Sequence, residues 1–169
     1  MALLRMYLAS MIKRLVFAVL AALAPPAAAH EYQLGDLVID HPFAFETPVT
    51  ARTGAGYVMI TNNGTTNDRL LAVEADFPRV MLHTTEVDGD VTRMVHLMAV
   101  DLPAGETVMF QPGAMHIMFM GLDAPFAIGD SFPATLVFEN AGTIDVEFKV
   151  EARTDADHDK MDHSSHDGH

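Results

Sequence analysis

Short stretches of alternating apolar and polar residues run through the chain after residue 29, and such alternation is typical of half-buried β-strands. The clearest run covers residues 144–150, and a similar run covers 132–138. Asn140-Ala141-Gly142 joins these two runs as a hairpin. Six earlier runs, separated by turns rich in Asn, Asp, Pro and Gly, are also predicted to be strands: 56–61, 68–74, 80–85, 91–98, 107–110 and 116–121.

No segment after residue 29 keeps a helical period over any length. Seven to nine short strands in a segment of this size favour an all-β fold, either an antiparallel sandwich or a barrel. The chain has 169 residues, of which 50% are hydrophobic and 20% charged, so the composition fits one globular domain. We assign this domain to residues 30–151.

Residues 1–29 have the three parts of a secretory signal peptide. Basic residues come first, an apolar run follows at 15–24, and three alanines end the segment at Ala29. The alternative is an uncleaved membrane anchor, but ten apolar residues are too few, because a spanning helix needs about 20. We therefore expect cleavage after Ala29, export to the periplasm and no stable membrane insertion of the mature chain.

Charge and composition exclude several functions. The chain has 10 Lys and Arg against 23 Asp and Glu, and loss of residues 1–29 leaves 7 against 23, a net charge of −16. Such a surface repels nucleic acids and anionic membranes. The absence of cysteine excludes disulfides, zinc thiolates, iron–sulfur clusters and blue-copper electron transfer. We also find no nucleophile elbow and no HExxH motif, so we do not expect an enzyme.

Twelve methionines and nine histidines are the remaining unusual feature. His116 and Met118 are two residues apart in a predicted strand, so both side chains leave the same face about 6 to 7 Å apart. Thioether and imidazole together favour Cu(I), and methionine avoids the oxidation that threatens a thiol outside the cytoplasm. Methionines also fill cores, and a strand histidine is often structural, so both interpretations stay open. Five methionines are assigned to core or rim packing: Met59, Met81, Met109, Met115 and Met120.

A resemblance to a known family favours the metal-binding interpretation of these residues. Ten residues separate His83 from Met94, and twenty-one separate Met94 from His116. With Met118 this spacing resembles the H(M)X10MX21HXM signature of the PCuAC family of periplasmic copper chaperones, and the similarity extends over about 34–150. The optional Met after the first His is absent, because Thr84 stands there, and the aromatic residue after His41-Pro42 is Phe43 where relatives often carry Trp.

The resemblance implies a cupredoxin-like Greek-key barrel or sandwich with an exposed Cu(I) site formed by His83, Met94, His116 and Met118. It also implies delivery of copper to the dinuclear copper centre of cytochrome c oxidase, in subunit II, alone or with Sco-type proteins. By strand parity, His96 or Met98 could replace Met94, and only the spacing selects Met94. We place His96 behind the ligands or in solvent. The alternative function is a periplasmic copper or zinc buffer for metal tolerance.

Residues 152–169 form a predicted disordered tail, because nothing after Thr154 could build a core. The tail has two interpretations, a solubilising acidic segment or a second metal site that takes Cu(II) or Zn(II) and raises the copper concentration beside the domain. After cleavage, His30 could chelate Cu(II) or could merely follow the cleavage site. The candidate tail ligands are His158, Met161, His163, His166 and His169.

Overall fold

The structure is a computed structural model that describes residues 31–89 and 91–153. Over these ranges the chain is built from β-strands joined by turns, which confirms the predicted all-β class. The strands are β1 Glu31–Leu34, β2 Leu37–Phe45, β3 Thr53–Asn62, β4 Asp68–Glu74, β5 Arg79–Asp88, β6 Val91–Leu97, β7 Val100–Leu102, β8 Thr107–Phe110, β9 His116–Met120, β10 Ser131–Phe138 and β11 Thr143–Glu151. Neither described range contains a helix long and apolar enough to cross a membrane.

The strands form one continuous hydrogen-bonded path in the order β6-β5-β9-β3-β2-β11-β10-β4-β7. Strand β1 adds to β2, and β8 adds to β3 beside β9. The pairs are antiparallel except for β2 with β11, which run parallel over three residues. Strands β5, β6 and β9 lie at one end of this path, and they carry the candidate metal ligands.

The sheet folds over on itself and encloses an aromatic core. Phe119 on β9 has its ring centroid 4.9 Å from that of Phe132 on β10 and 5.6 Å from that of Phe148 on β11. These strands are distant along the sheet path, so their inner faces pack against each other. This arrangement is the predicted antiparallel sandwich or barrel.

A break in β2 allows this strand to pair with different neighbours along its length. Residues 37–40 pair with β1 and β3, whereas residues 43–45 pair with β3 and β11. Between them the register shifts, and His41 has φ +48°, a left-handed conformation that is uncommon for a residue other than glycine. Pro42 follows, and its missing N–H suits a break in the ladder.

Glycine in β3 allows this strand to approach the aromatic core. A Cβ atom on Gly56 would lie 2.6 Å from the Phe119 ring and 3.0 Å from the Phe148 ring, and neither ring has space to move far, because both are fully buried. Gly56 lies opposite Ile117 of β9. The close packing therefore fixes β9, the strand that carries His116 and Met118.

The eight predicted strands are all present, most of them with ends shifted by one to three residues. Strands β1, β2 and β7 were not predicted. Strand β2 is interrupted by Asp40-His41-Pro42, which breaks its alternation, and β7 has three residues, too few for a pattern. The predicted signal peptide and all but the first two residues of the predicted tail lie outside the described residues.

Candidate metal centre

Register on three neighbouring strands brings the candidate ligands together. His83 of β5 lies directly opposite His116 of β9, and Met81 lies opposite Met118 in the same pair of strands. Side chains directly opposite each other in an antiparallel pair leave the same face of the sheet. His83, His116 and Met118 therefore share one face.

Strand β6 adds its donors to that face. His96 lies directly opposite His83, and Met94 lies opposite Thr85. The structure thus places Met94 on the same face as His116 and Met118, with β5 between β6 and β9.

This face is the outer side of the sandwich. The residues that alternate with the candidate ligands, Leu82, Ile117 and Phe119, are all in the buried core. Because side chains in a strand alternate between the two faces, the ligands point away from the core. A metal ion bound there would be accessible from the protein surface.

His116 is nevertheless almost completely buried, with 5% of its surface exposed. Its Nδ1 lies 3.1 Å from the carbonyl oxygen of Ala114, which also accepts the backbone N–H of Thr85 at 3.3 Å. A carbonyl oxygen can only accept, so Nδ1 of His116 carries the proton and donates it. In the neutral ring Nε2 is then unprotonated, which is the form that binds a metal ion.

Two buried ring nitrogens have no hydrogen-bond partner within the described part of the chain, Nδ1 of His83 and Nε2 of His116. The two ring centroids are 5.9 Å apart. A buried polar atom without a partner is rare in proteins and requires an explanation, such as an unfilled ligand position. Here both orphan nitrogens belong to adjacent imidazoles, so a single ion could satisfy both.

The surroundings of His83 oppose protonation of its ring. Partial burial lowers the pKa of His83 below its usual 6.5, and the nearby imidazoles of His116 and His96 lower it further, because a second positive charge there would be repelled. Protons therefore compete less for this nitrogen than for a free imidazole. The effect favours metal binding at mildly acidic pH.

The methionines differ in exposure. Met118 is half-buried, whereas Met94 is 63% exposed on the terminal strand β6. Both border a cavity of about 710 Å³ beside His116. The cavity walls come from β2 and the loop after it, from β3, β5, β6 and β9, from the turn before β9, and from the last described residue: Phe45, Glu46, Thr47, Pro48, Thr53, Gly54, Ala55, Tyr57, Thr85, Val87, Thr92, Met94, Gly113, His116, Met118 and Arg153.

The donor chemistry narrows the choice of ion. Across residues 31–89 and 91–153, no three His, Asp or Glu side chains converge in a set that could hold a metal. An ion at His83 and His116 would therefore need the thioether sulfurs to complete its coordination. Imidazole nitrogen and thioether sulfur together suit Cu(I) and disfavour the hard ions Mg²⁺ and Ca²⁺. Zn²⁺ accepts imidazole, but it is bound in proteins by thiolate and carboxylate rather than thioether.

Sequence reasoning did not identify everything that shapes the site. The carbonyl of Ala114, which orients His116, has no side-chain signal by which it could be found. His96, expected behind the ligands or in solvent, is exposed, and its ring centroid is 5.7 Å from that of His83. Of the five methionines assigned to core or rim, four are half-buried and Met109 is 49% exposed. The candidate tail ligands and His30 lie outside the described residues.

Comparison with known proteins gives the family. A family model described as "Putative lipoprotein LpqE-like" matches residues 37–150, which is most of the chain. The chain belongs to the LpqE-like family. A "Putative lipoprotein Lxx21020" of Leifsonia xyli subsp. xyli (strain CTCB07) is 43% identical over 49 residues, which cover 29% of this chain and 30% of that protein. Both names are those of lipoproteins, which are exported proteins.

Solved structures give the fold class of this LpqE-like chain. The copper-bound PCuAC domain from PmoF2 is 29% identical, with a TM-score of 0.63, and the match covers 73% of this chain and 99% of that domain. Apo-DR1885 from Deinococcus radiodurans is 25% identical, with a TM-score of 0.56 over 77% of this chain and 88% of that one. The expected cupredoxin-like fold of PCuAC domains is confirmed.

Proposed function

We propose that this protein is an exported copper chaperone that binds Cu(I) through His83, His116, Met118 and Met94 and passes it on by ligand exchange. The observation that carries the proposal is the pair of buried ring nitrogens on His83 and His116 that find no hydrogen-bond partner among the described residues. Their position beside thioether sulfurs on one outer face supports a soft, monovalent ion. The similarity to a copper-bound PCuAC domain supports copper as the ion.

Transport of an ion needs no catalysed reaction, so the proposed function is not enzymatic. The outward position of the site supports transfer, because an acceptor must reach the ion while the donor still holds it. The four proposed ligands are neutral when His83 and His116 are unprotonated, so the bound complex keeps the single charge of Cu(I).

The experiment is an anaerobic titration of the mature chain against a Cu(I) chelator of known affinity. We expect one tight site that is lost when His116 and Met118 are both changed to Ala, by at least about 100-fold in affinity. Met109→Leu is the matched control, because Met109 is an exposed strand methionine without an imidazole opposite it. Unchanged affinity in the double variant would refute the proposed site.

The proposed destination is the dinuclear copper centre of cytochrome c oxidase, reached through subunit II directly or through a Sco-type protein. The alternative is a copper or zinc buffer for metal tolerance. A deletion strain separates the two. Loss of oxidase activity at low copper supports delivery, whereas sensitivity to excess metal with normal oxidase activity supports buffering.

We also propose export to the periplasm with cleavage after Ala29, which the lipoprotein names of the relatives support only as far as export. Mass spectrometry of the mature protein tests it, because cleavage there leaves His30 as the first residue. A mature chain that begins elsewhere would disprove the proposed cleavage position.

The tail is proposed as a second, less selective site for Cu(II) at His158, Met161, His163, His166 and His169. Arg153 borders the cavity beside His116, so the tail begins next to the domain site, and this position supports a role in raising the local copper concentration. Truncation after Arg153 should remove Cu(II) binding and leave Cu(I) affinity unchanged. Full Cu(II) binding by the truncated chain would refute the tail site.

A further inference from the structure

Strand β6 ends the sheet and presents sulfur and imidazole donors at alternate positions. Within the described residues it pairs with β5 alone, so its other edge is uncovered. Met94 and His96 are exposed, whereas Val95 and Leu97 are half-buried. Met98 follows the last residue of the strand and is 81% exposed. Met94 and His96 share the ligand face of β6, and Met98 follows two residues later, so three candidate copper ligands occur in a Met-x-His-x-Met sequence.

His83 links this row to the buried donors. It lies directly opposite His96 on one side and directly opposite His116 on the other. The ring centroid of His83 is 5.7 Å from that of His96 and 5.9 Å from that of His116. His83 would bind an ion together with His116, and it has a second imidazole neighbour, the exposed His96, at nearly the same distance.

The residues on the two sides of His83 differ in their exposure to solvent. His116 is 5% exposed, and its free nitrogen is buried, so an acceptor protein cannot contact it without moving the surrounding chain. His96 and Met98 are open to solvent. Ligand exchange needs at least one donor position that an incoming ligand can reach, and the exposed residues of β6 offer it.

We propose that His96 and Met98, together with the inner-site ligand Met94, form an outer Cu(I) position through which the ion leaves the inner site. This inference rests on the proposed function, because it assumes that Cu(I) is held by His83, His116, Met118 and Met94. In the transfer step the bonds from copper to His116 and Met118 break as bonds to His96 and Met98 form. Copper stays Cu(I) throughout, the donors are neutral, and no oxidant or reductant is required.

The first test follows the methionine methyl groups by NMR, in the mature chain labelled with ¹³C at those methyls and titrated anaerobically with Cu(I). The first equivalent should shift the Met118 methyl, and further equivalents should shift the Met98 methyl. In His96→Asn the Met98 shift should disappear while the Met118 shift remains. Because each methyl reports its own site, copper bound by the tail does not interfere.

The second test measures the rate of Cu(I) transfer from the singly loaded chain to a chelator in stopped flow. Replacement of both His96 by Asn and Met98 by Leu should slow transfer by about tenfold, while equilibrium affinity changes by less than about threefold. His41→Asn and Met109→Leu are the matched controls. Both residues are exposed and distant from His83 in the sheet, and Asn tolerates the positive φ of His41.

The outcomes distinguish the two proposals. If the Met118 methyl does not respond to Cu(I), the proposed function is wrong at its site. A second outcome is that the Met118 methyl responds, the Met98 methyl never shifts, and the double variant releases copper at the wild-type rate. In that case the outer position does not exist, and the inner site stands without it.

Discussion

His83 and His116 lie directly opposite each other on β5 and β9, and each has a buried ring nitrogen without a hydrogen-bond partner among the described residues. An unpaired buried polar group costs about 1–3 kcal/mol of folding free energy. The protein carries two such groups side by side on the outer face of its sheet. A bound ion that ligates both would offset this cost, so the arrangement favours the metal-bound state.

The first prediction concerns the proton on His116. Because the Ala114 carbonyl accepts a hydrogen bond from Nδ1, we expect the neutral apo ring to be the Nδ1–H tautomer with Nε2 free for metal. Long-range ¹H–¹⁵N correlation spectra of the apo protein report the tautomer directly. A predominant Nε2–H tautomer would contradict the proposed ligand atom.

The second prediction concerns pH. The pKa of His83 is lowered from 6.5 by burial and by the imidazoles of His116 and His96, so His83 should stay neutral as pH falls through 6.5 and become protonated only at lower pH. The contribution of His83 to Cu(I) affinity should therefore persist as the pH falls through 6.5, and it should be lost only at a lower pH than for a free imidazole. The unfolded chain binds this proton first, so the stability of the apo protein should decrease as pH falls below 6.5.

An NMR titration of the His83 ring in the apo protein measures this pKa. His96→Asn should move the midpoint upward toward 6.5, because it removes one of the like charges that oppose protonation. A midpoint at or above 6.5 in the unaltered protein would show that burial and the neighbouring rings do not act as described.

Local alternation was sufficient to predict β4 and β8 with their observed ends and to place β10 and β11 as a hairpin. It was insufficient for β2, because this strand changes partners at His41 and Pro42 and so breaks the period of two. Such a break depends on which strands lie on either side. That information is absent from the local pattern.

The candidate site was likewise predictable only in part from the local sequence. The spacing of His116 and Met118 within one strand predicts a shared face, and the structure has them there. The position of His83 opposite His116 depends on the register between β5 and β9, which are separated in sequence by residues 89–115. A slip of one residue would move His83 to the core face, and no local signal fixes that register. The burial of His116 and the exposure of Met94 follow from the same tertiary arrangement.

The third prediction tests the packing that fixes β9. Gly56→Ala would place a Cβ atom 2.6 Å from the buried Phe119 ring, so the ring or the strand must move. We expect a loss of about 1–3 kcal/mol in the free energy of unfolding, as for other overpacked cores. Urea denaturation of the apo protein measures it.

A suitable control for this variant is Gly105→Ala. A Cβ at Gly105 would contact no atom of the described residues within 4 Å, although its φ of +76° still disfavours alanine. The control therefore reports backbone strain without a clash. If Gly56→Ala were no more destabilising than Gly105→Ala, the close approach to Phe119 would not limit this part of the core.

The fourth prediction concerns the choice between copper and zinc. No set of three His, Asp or Glu residues that could hold an ion occurs in the part of the chain described here, so Zn²⁺ lacks the ligands it prefers at the domain site. Cu(I) can use the thioether of Met118. At a free concentration one thousand times its dissociation constant, Cu(I) should stabilise the folded domain by about 4 kcal/mol. Anaerobic thermal unfolding with Cu(I) or with Zn²⁺ compares the two.

Met118→Leu provides the decisive variant for this comparison. Leucine keeps the apolar volume but removes the sulfur, so the apo protein should unfold at nearly the same temperature while most of the Cu(I) stabilisation is lost. The response to Zn²⁺ should be the same as in the unaltered protein, because sulfur does not contribute to it. Equal stabilisation by both ions, or full Cu(I) stabilisation in Met118→Leu, would mean that thioether coordination does not determine which metal this domain binds.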